Sequence, residues 1–219
     1  MNVFKDQVLV ASAFLDAEKV GERALISLKL ADGQENWRIP LSLNPWAGAT
    51  VAGDLAIIGC SSIRLEPKDV PGAQGEVVVV SLIDGRLKWK KPLPAGIVSA
   101  IAIKDGLAVF TATDGCVRAW DVDSGQERWK TDPSAAYFAS PAIAESVVYT
   151  ADLKGKLRAL NLKDGRLIWS LDLGKDPAIK APGMVYGGPV VAAGKVYVAT
   201  CNLDSASKLP TAVVCIGEK

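Results

Sequence analysis

Apolar and polar residues alternate along this chain in short runs, and each run is cut off by a glycine turn. Leu157-Arg158-Ala159-Leu160-Asn161-Leu162 is one such run and Val147 to Ala151 another, with Lys154-Gly155 between them. A period of two residues predicts half-buried β-strands joined by hairpins. One stretch reads Ser99-Ala100-Ile101-Ala102-Ile103, Leu107 to Ala112, Asp114-Gly115, Val117 to Val122, then a turn at Gly125 leading to Trp129. The next reads Ser140 to Ala144, Val147 to Ala151, Lys154-Gly155, Leu157 to Leu162, then Asp164-Gly165 into Trp169. Each predicts four strands.

The strands are organised by a recurring motif: Asp32-Gly33 to Trp37, Asp84-Gly85 to Trp89, Ser124-Gly125 to Trp129 and Asp164-Gly165 to Trp169, with the tryptophans 52, 40 and 40 residues apart. A period near 40 with short strands and glycine turns is what the blades of a β-propeller leave in a sequence. The expected fold is all-β, a propeller of about five four-stranded antiparallel blades at approximately 1–38, 47–90, 98–130, 139–170 and 187–219. The first blade is expected to be clipped at its start, and the last lacks its outer strand. Either the N-terminal segment completes the last blade or the chain is the C-terminal part of a larger ring; open blade edges would also permit self-association.

Glycine at 33, 85, 125 and 165 admits the positive φ of a tight hairpin. Four residues later, Trp37, Trp89, Trp129 and Trp169 recur at one point of the outer strand, where a ring can dock between blades and place its indole N–H on backbone. These eight positions are expected to be structural.

Composition narrows the chemistry. With 25 Lys+Arg against 24 Asp+Glu and no run of either sign, there is no electrostatic case for nucleic acid. The absence of histidine excludes Ser-His-Asp and Cys-His catalysis and every His-containing zinc site. Cys60, Cys116, Cys201 and Cys215 have no CxxC spacing and read as small hydrophobes, with Cys60 and Cys201 at the same place in their repeats. No apolar run approaches the ~20 residues of a membrane-spanning helix. Gln7 to Leu15 has the apolarity of a signal-peptide core but aligns with a strand in every later repeat, so it is read as structure.

Function is expected on one face. Loops joining second to third strands, and one blade to the next, emerge on the same side of a propeller. There blade one inserts Asp16 to Glu22, blade two Ser61 to Gly75 and blade five Asn202 to Pro210. Arg64, Glu66, Lys68 and Asp69 form a mixed-charge cluster, and Asp204 and Lys208 sit in the fifth-blade loop. The blade junctions add the aromatic candidates Trp46, Tyr137, Phe138 and Tyr186. Aromatics beside mixed charges suit a protein interface; packing against a neighbouring blade is the other reading of these rings.

The run from Val117 to Trp129 and that from Leu157 to Trp169 resemble the pyrroloquinoline-quinone-like (PQQ-like) propeller repeat family, VYV-x4-G-x-L-x-A-L-D-x3-G-x3-W. The resemblance is strongest to its non-enzymatic, BamB-like members, the lipoproteins of the outer-membrane β-barrel assembly machinery. It implies a bacterial, non-catalytic binding or scaffold module without cofactor, recognising a protein or peptide, in a periplasmic or extracellular compartment. Two alternatives stay open: a fragment of a PQQ-dependent quinoprotein dehydrogenase, which would bind PQQ with Ca²⁺ near the axis, and a sensor segment of a multidomain protein. The adjacent cysteines and the Glu, Asn and Asp ligands of the dehydrogenases are not recognisable here.

Overall fold

A computed structural model describes residues 2–15, 18–63, 67–202 and 211–217. Nineteen strands form five antiparallel sheets in chain order. The first contains β1 (Asn2–Phe4), β2 (Gln7–Leu15), β3 (Val20–Lys29) and β4 (Glu35–Pro40). The second contains β5 (Thr50–Ala52), β6 (Leu55–Ser61), β7 (Gly75–Ser81) and β8 (Leu87–Leu93). The third contains β9 (Ala102–Lys104), β10 (Leu107–Thr111), β11 (Val117–Asp121) and β12 (Glu127–Lys130). The fourth contains β13 (Ala142–Ala144), β14 (Val147–Ala151), β15 (Lys156–Asn161) and β16 (Leu167–Asp172). The last has three strands, β17 (Val190–Ala192), β18 (Lys195–Thr200) and β19 (Ala212–Ile216). No helix among the described residues is long and apolar enough to cross a membrane.

Three expectations need correction. The first sheet is not clipped: β1 pairs with β2 over three residues, as β13 does with β14. Only the last sheet lacks a strand among the described residues, leaving β19 as an edge with Val213 77% exposed. Second, the middle strands of the second and third sheets are buried on both faces rather than half-buried, every residue of β7 being inside. The reason is that these sheets are sandwiched between neighbours. Ile58, Val78 and Val80 pack toward the first sheet with Leu9, Leu25 and Trp37, whereas Ile57, Val77 and Val79 pack toward the third with Ala108, Phe110 and Trp120. Period two survives as a choice of interface. Third, strand pairing aligns Cys201 with Ser61 and Thr200 with Cys60, so Cys60 and Cys201 are one register step apart.

The repeated motif acts as expected at its four glycines and at its first three tryptophans. Gly33, Gly85, Gly125 and Gly165 have φ of 72°, 69°, 66° and 71°. Each of the first four sheets shifts register just before the tryptophan pair, Ser27↔Trp37, Val79↔Trp89, Ala119↔Trp129 and Ala159↔Trp169. The indole Nε1 of Trp37 donates to Leu82 O (3.1 Å), that of Trp89 to Val122 O (2.8 Å) and that of Trp129 to Leu162 O (2.8 Å), always in the following sheet. The ring lies over that sheet's turn glycine: a Cβ at Gly85 would stand 2.8 Å from Trp37, at Gly125 3.1 Å from Trp89 and at Gly165 2.6 Å from Trp129. Glycine is required there by both backbone angle and space.

Candidate functional site

Antiparallel order sends the second-to-third-strand loops and the sheet-to-sheet junctions to one side of the molecule. Four residues before the first residue of β5, β9, β13 and β17 stand Trp46, Val98, Phe138 and Tyr186. These equivalent positions converge. Val98 and Phe138 are buried with Ile63 and Ala73, and Trp46, Val70, Leu153 and Tyr186 pack partly buried against them. Phe138 and Tyr186 meet edge to face, centroids 5.4 Å apart. The indole of Trp46 donates to Ile63 O at 2.6 Å, tying the first junction to the long loop after β6. Burial raises the Tyr186 phenol, Cys201 adds to this, and its hydroxyl points at Met184 Sδ, 3.9 Å away.

Asn44 positions the first junction. It forms a bridge with Ser61, its Nδ2 donates to Phe14 O (2.9 Å), and its Oδ1 accepts from Phe14 N (2.9 Å) and Arg23 Nε (3.2 Å). The end of the β2–β3 hairpin is thereby pinned to this face. Residues Val20 to Glu22, expected in a loop insertion, extend β3 instead.

Lys68 and Asp69 lie on a single 3-10 turn, Pro67–Asp69. With Ser62, Ile63, Pro71 and Ala73 they line a cleft of about 440 Å³, so two of the expected charges border the aromatic cluster. Arg64, Glu66, Asp204 and Lys208 lie outside the described residues. Tyr137 is a correction. It is fully buried in the core between the third and fourth sheets, with Val109, Val117, Trp129, Val148 and Leu160. One residue before Phe138, it points away from the surface because successive residues of an extended junction face opposite ways. Phe138, 5% exposed, serves as the floor of the cluster rather than its surface. Val98 escaped notice for being aliphatic, although its offset from β9 is the same.

The four junction side chains carry no carboxylate, and among the described residues no three His, Cys, Asp or Glu are placed to hold a metal ion. Cys60 and Cys116 are buried, Cys201 partly so and Cys215 exposed, all as free thiols. Burial, reinforced by Glu76, pushes the Cys60 thiol far up and leaves it unreactive. The arrangement is therefore suited to contact: half-buried aromatics held by backbone hydrogen bonds and bordered by charge.

A profile of the family described as outer membrane protein assembly factor BamB matches residues 22–206. The Escherichia coli protein of that name is 28% identical over 125 residues, covering 51% of this chain and 32% of its own length. The quinohemoprotein alcohol dehydrogenase ADH-IIG of Pseudomonas putida is 31% identical over 121 residues, covering 50% of this chain but 17% of the enzyme. The crystal structure of BamB from Moraxella catarrhalis superposes with a TM-score of 0.64 at 17% identity, over 89% of this chain and 58% of that one. This chain thus spans about a third of the E. coli protein's length. Repeat, sheet order and a profile match over most of its length agree: the chain is a PQQ-like β-propeller that belongs to the outer membrane protein assembly factor BamB family.

Proposed function

We propose that this chain is a non-catalytic propeller segment that binds a protein partner in outer membrane protein assembly, through the face formed by its junctions and long loops. The observation that supports this reading is the convergence of Trp46, Val98, Phe138 and Tyr186, with Trp46 and Tyr186 partly exposed and Lys68 and Asp69 beside them. A ring system already fixed by Ile63 O loses little side-chain entropy when covered, which favours a hot spot. The family's assembly role argues for a periplasm-facing compartment, and β19, an edge among the described residues, offers a second mode, addition of a partner's strand.

The quinoprotein alternative has less support. Its match covers a small share of the dehydrogenase, and an aromatic and aliphatic cluster bordered by Lys68 and Asp69 is a poor fit to Ca²⁺, which takes about 6–8 oxygen ligands.

Site-specific photo-crosslinking tests the proposal. A benzophenone residue at Trp46, Lys68 or Tyr186 is expected to trap one and the same protein of outer membrane assembly, and one at Lys163, in the opposite-face turn after β15, none. Adducts from Lys163 alone, or none from the three loop-face positions, would overturn it.

A further inference from the structure

The third and fourth sheets carry an arginine at the same place, Arg118 on β11 and Arg158 on β15, each two residues before a side chain that packs on the preceding sheet. Their surroundings differ. Arg118 has a side chain only 3% exposed, and its guanidinium is neutralised from within its own sheet: Nη1 donates to Asp114 Oδ1 at 3.0 Å, Nη2 to Asp114 Oδ2, and Nε lies 3.9 Å from Glu127 Oε2. In the fourth sheet the positions of Asp114 and Glu127 are taken by Lys154 and Leu167. Arg158, partly exposed, has no carboxylate at either of those positions, and its Nε is buried without an acceptor.

Behind it the buried Tyr137 hydroxyl and Thr150 Oγ1 adjoin Arg158 and each other, and burial raises the Tyr137 phenol although both neighbours pull it down. In front, Arg158 lines a cleft of about 360 Å³ between the outer parts of the two sheets, bordered by Lys130, Asp132, Leu160, Asp164 and Arg166. Asp164 is occupied by Arg166 at 3.3 Å, and Asp132 makes no ion pair with Arg158. The charged groups facing the cleft are three cations against two carboxylates.

A buried guanidinium N–H without an acceptor is costly, so a native fold keeps one where a further acceptor can reach it. A carboxylate fits best, because it supplies acceptors and the charge that Asp114 supplies to Arg118, in a planar fork that matches the guanidinium. We infer that the cleft between the third and fourth sheets is a carboxylate-binding site built on Arg158, taking an Asp or Glu side chain of a polypeptide or a small free dicarboxylate. It is separate from the aromatic loop face, and neither reading depends on the other.

The test is nuclear magnetic resonance on the full chain, following the arginine Nε–H signals during titration with acetyl-Ala-Glu-Ala-amide and, separately, succinate. The Arg158 signal is expected to move and saturate with at least one probe, while that of Arg118 stays still. Response to the peptide alone would identify a polypeptide carboxylate, and response to succinate a small acid. Lys154→Asp, on an exposed turn that in the third sheet already carries Asp114, supplies the missing carboxylate internally; apparent affinity should fall by about tenfold or more. Arg158→Gln should abolish it. An unmoved Arg158 signal with both probes, equal movement at Arg118, or undiminished binding by Lys154→Asp would overturn the inference.

Discussion

Trp129 and Trp169 occupy the same position in successive sheets, yet only one of them is fastened. Trp129 is 8% exposed, with its indole on Leu162 O and its ring over Gly165. Trp169 faces a last sheet that has no Asp-Gly turn among the described residues; it leans on Tyr149, centroids 6.0 Å apart, beside an open cleft of about 640 Å³ edged by Lys195, Ile216 and Gly217. The motif is thus half of a joint, and the other half is the next repeat's turn. Stability of such a repeat array is a sum of nearest-neighbour terms, and among the described residues Trp169 lacks the one that Trp129 has.

The largest effect that sharpens this contrast is truncation of the rings. Trp129→Ala should cost about 3–5 kcal/mol in urea unfolding, and Trp169→Ala only about 1–2 kcal/mol, since less area leaves water. Equal losses would break the comparison. Next, Gly165→Ala should cost about 2–3 kcal/mol, because the methyl meets Trp129 and the residue sits at positive φ. Gly33→Ala, with the same φ but nothing within 4 Å, should cost about 1 kcal/mol. A gap between the two isolates the contribution of the docked ring.

The third sheet has an additional fastening within itself, Asp114 on Arg118. Burial raises the Asp114 carboxyl, but hydrogen bonding and charge from Arg118 outweigh it and hold the group below its ordinary range. Asp114→Asn should therefore cost about 2 kcal/mol at neutral pH. Because the folded-state pKa is depressed, this contribution is present above the unfolded carboxyl's pKa of about 4 and disappears as pH falls through the folded value. Unfolding of wild type and variant should converge in acid. The smallest change is expected on the loop face: exposed Lys68→Glu should leave the unfolding midpoint within about 0.5 kcal/mol while weakening partner capture.

Much of the scaffold could be read from the residues because one requirement is repeated: Gly at positive φ, then Trp four residues on, then a backbone oxygen in the next sheet. Loop-face chemistry was legible only in part. Trp46 and Tyr186 stood out as aromatics unexplained by the motif, and Lys68 and Asp69 indeed border them. Adjacent residues of an extended junction face opposite ways, so only one of Tyr137 and Phe138 could reach the loop face, and which one is set by packing against the third sheet, with Val109, Val117 and Trp129 around Tyr137. Val98 shares the offset of Phe138 but not its aromatic ring. The isolation of Arg158 became visible only through the register that sets Lys154 where Asp114 stands in the sheet before.

Hydrogen–deuterium exchange with and without the partner trapped from the loop face tests the functional claim most directly. Protection is expected in segments 44–50, 68–74 and 184–188, with the opposite-face turns at 123–126 and 163–166 unchanged. Protection confined to those turns, or to the outer strands alone, would contradict the assignment of this face as the binding surface.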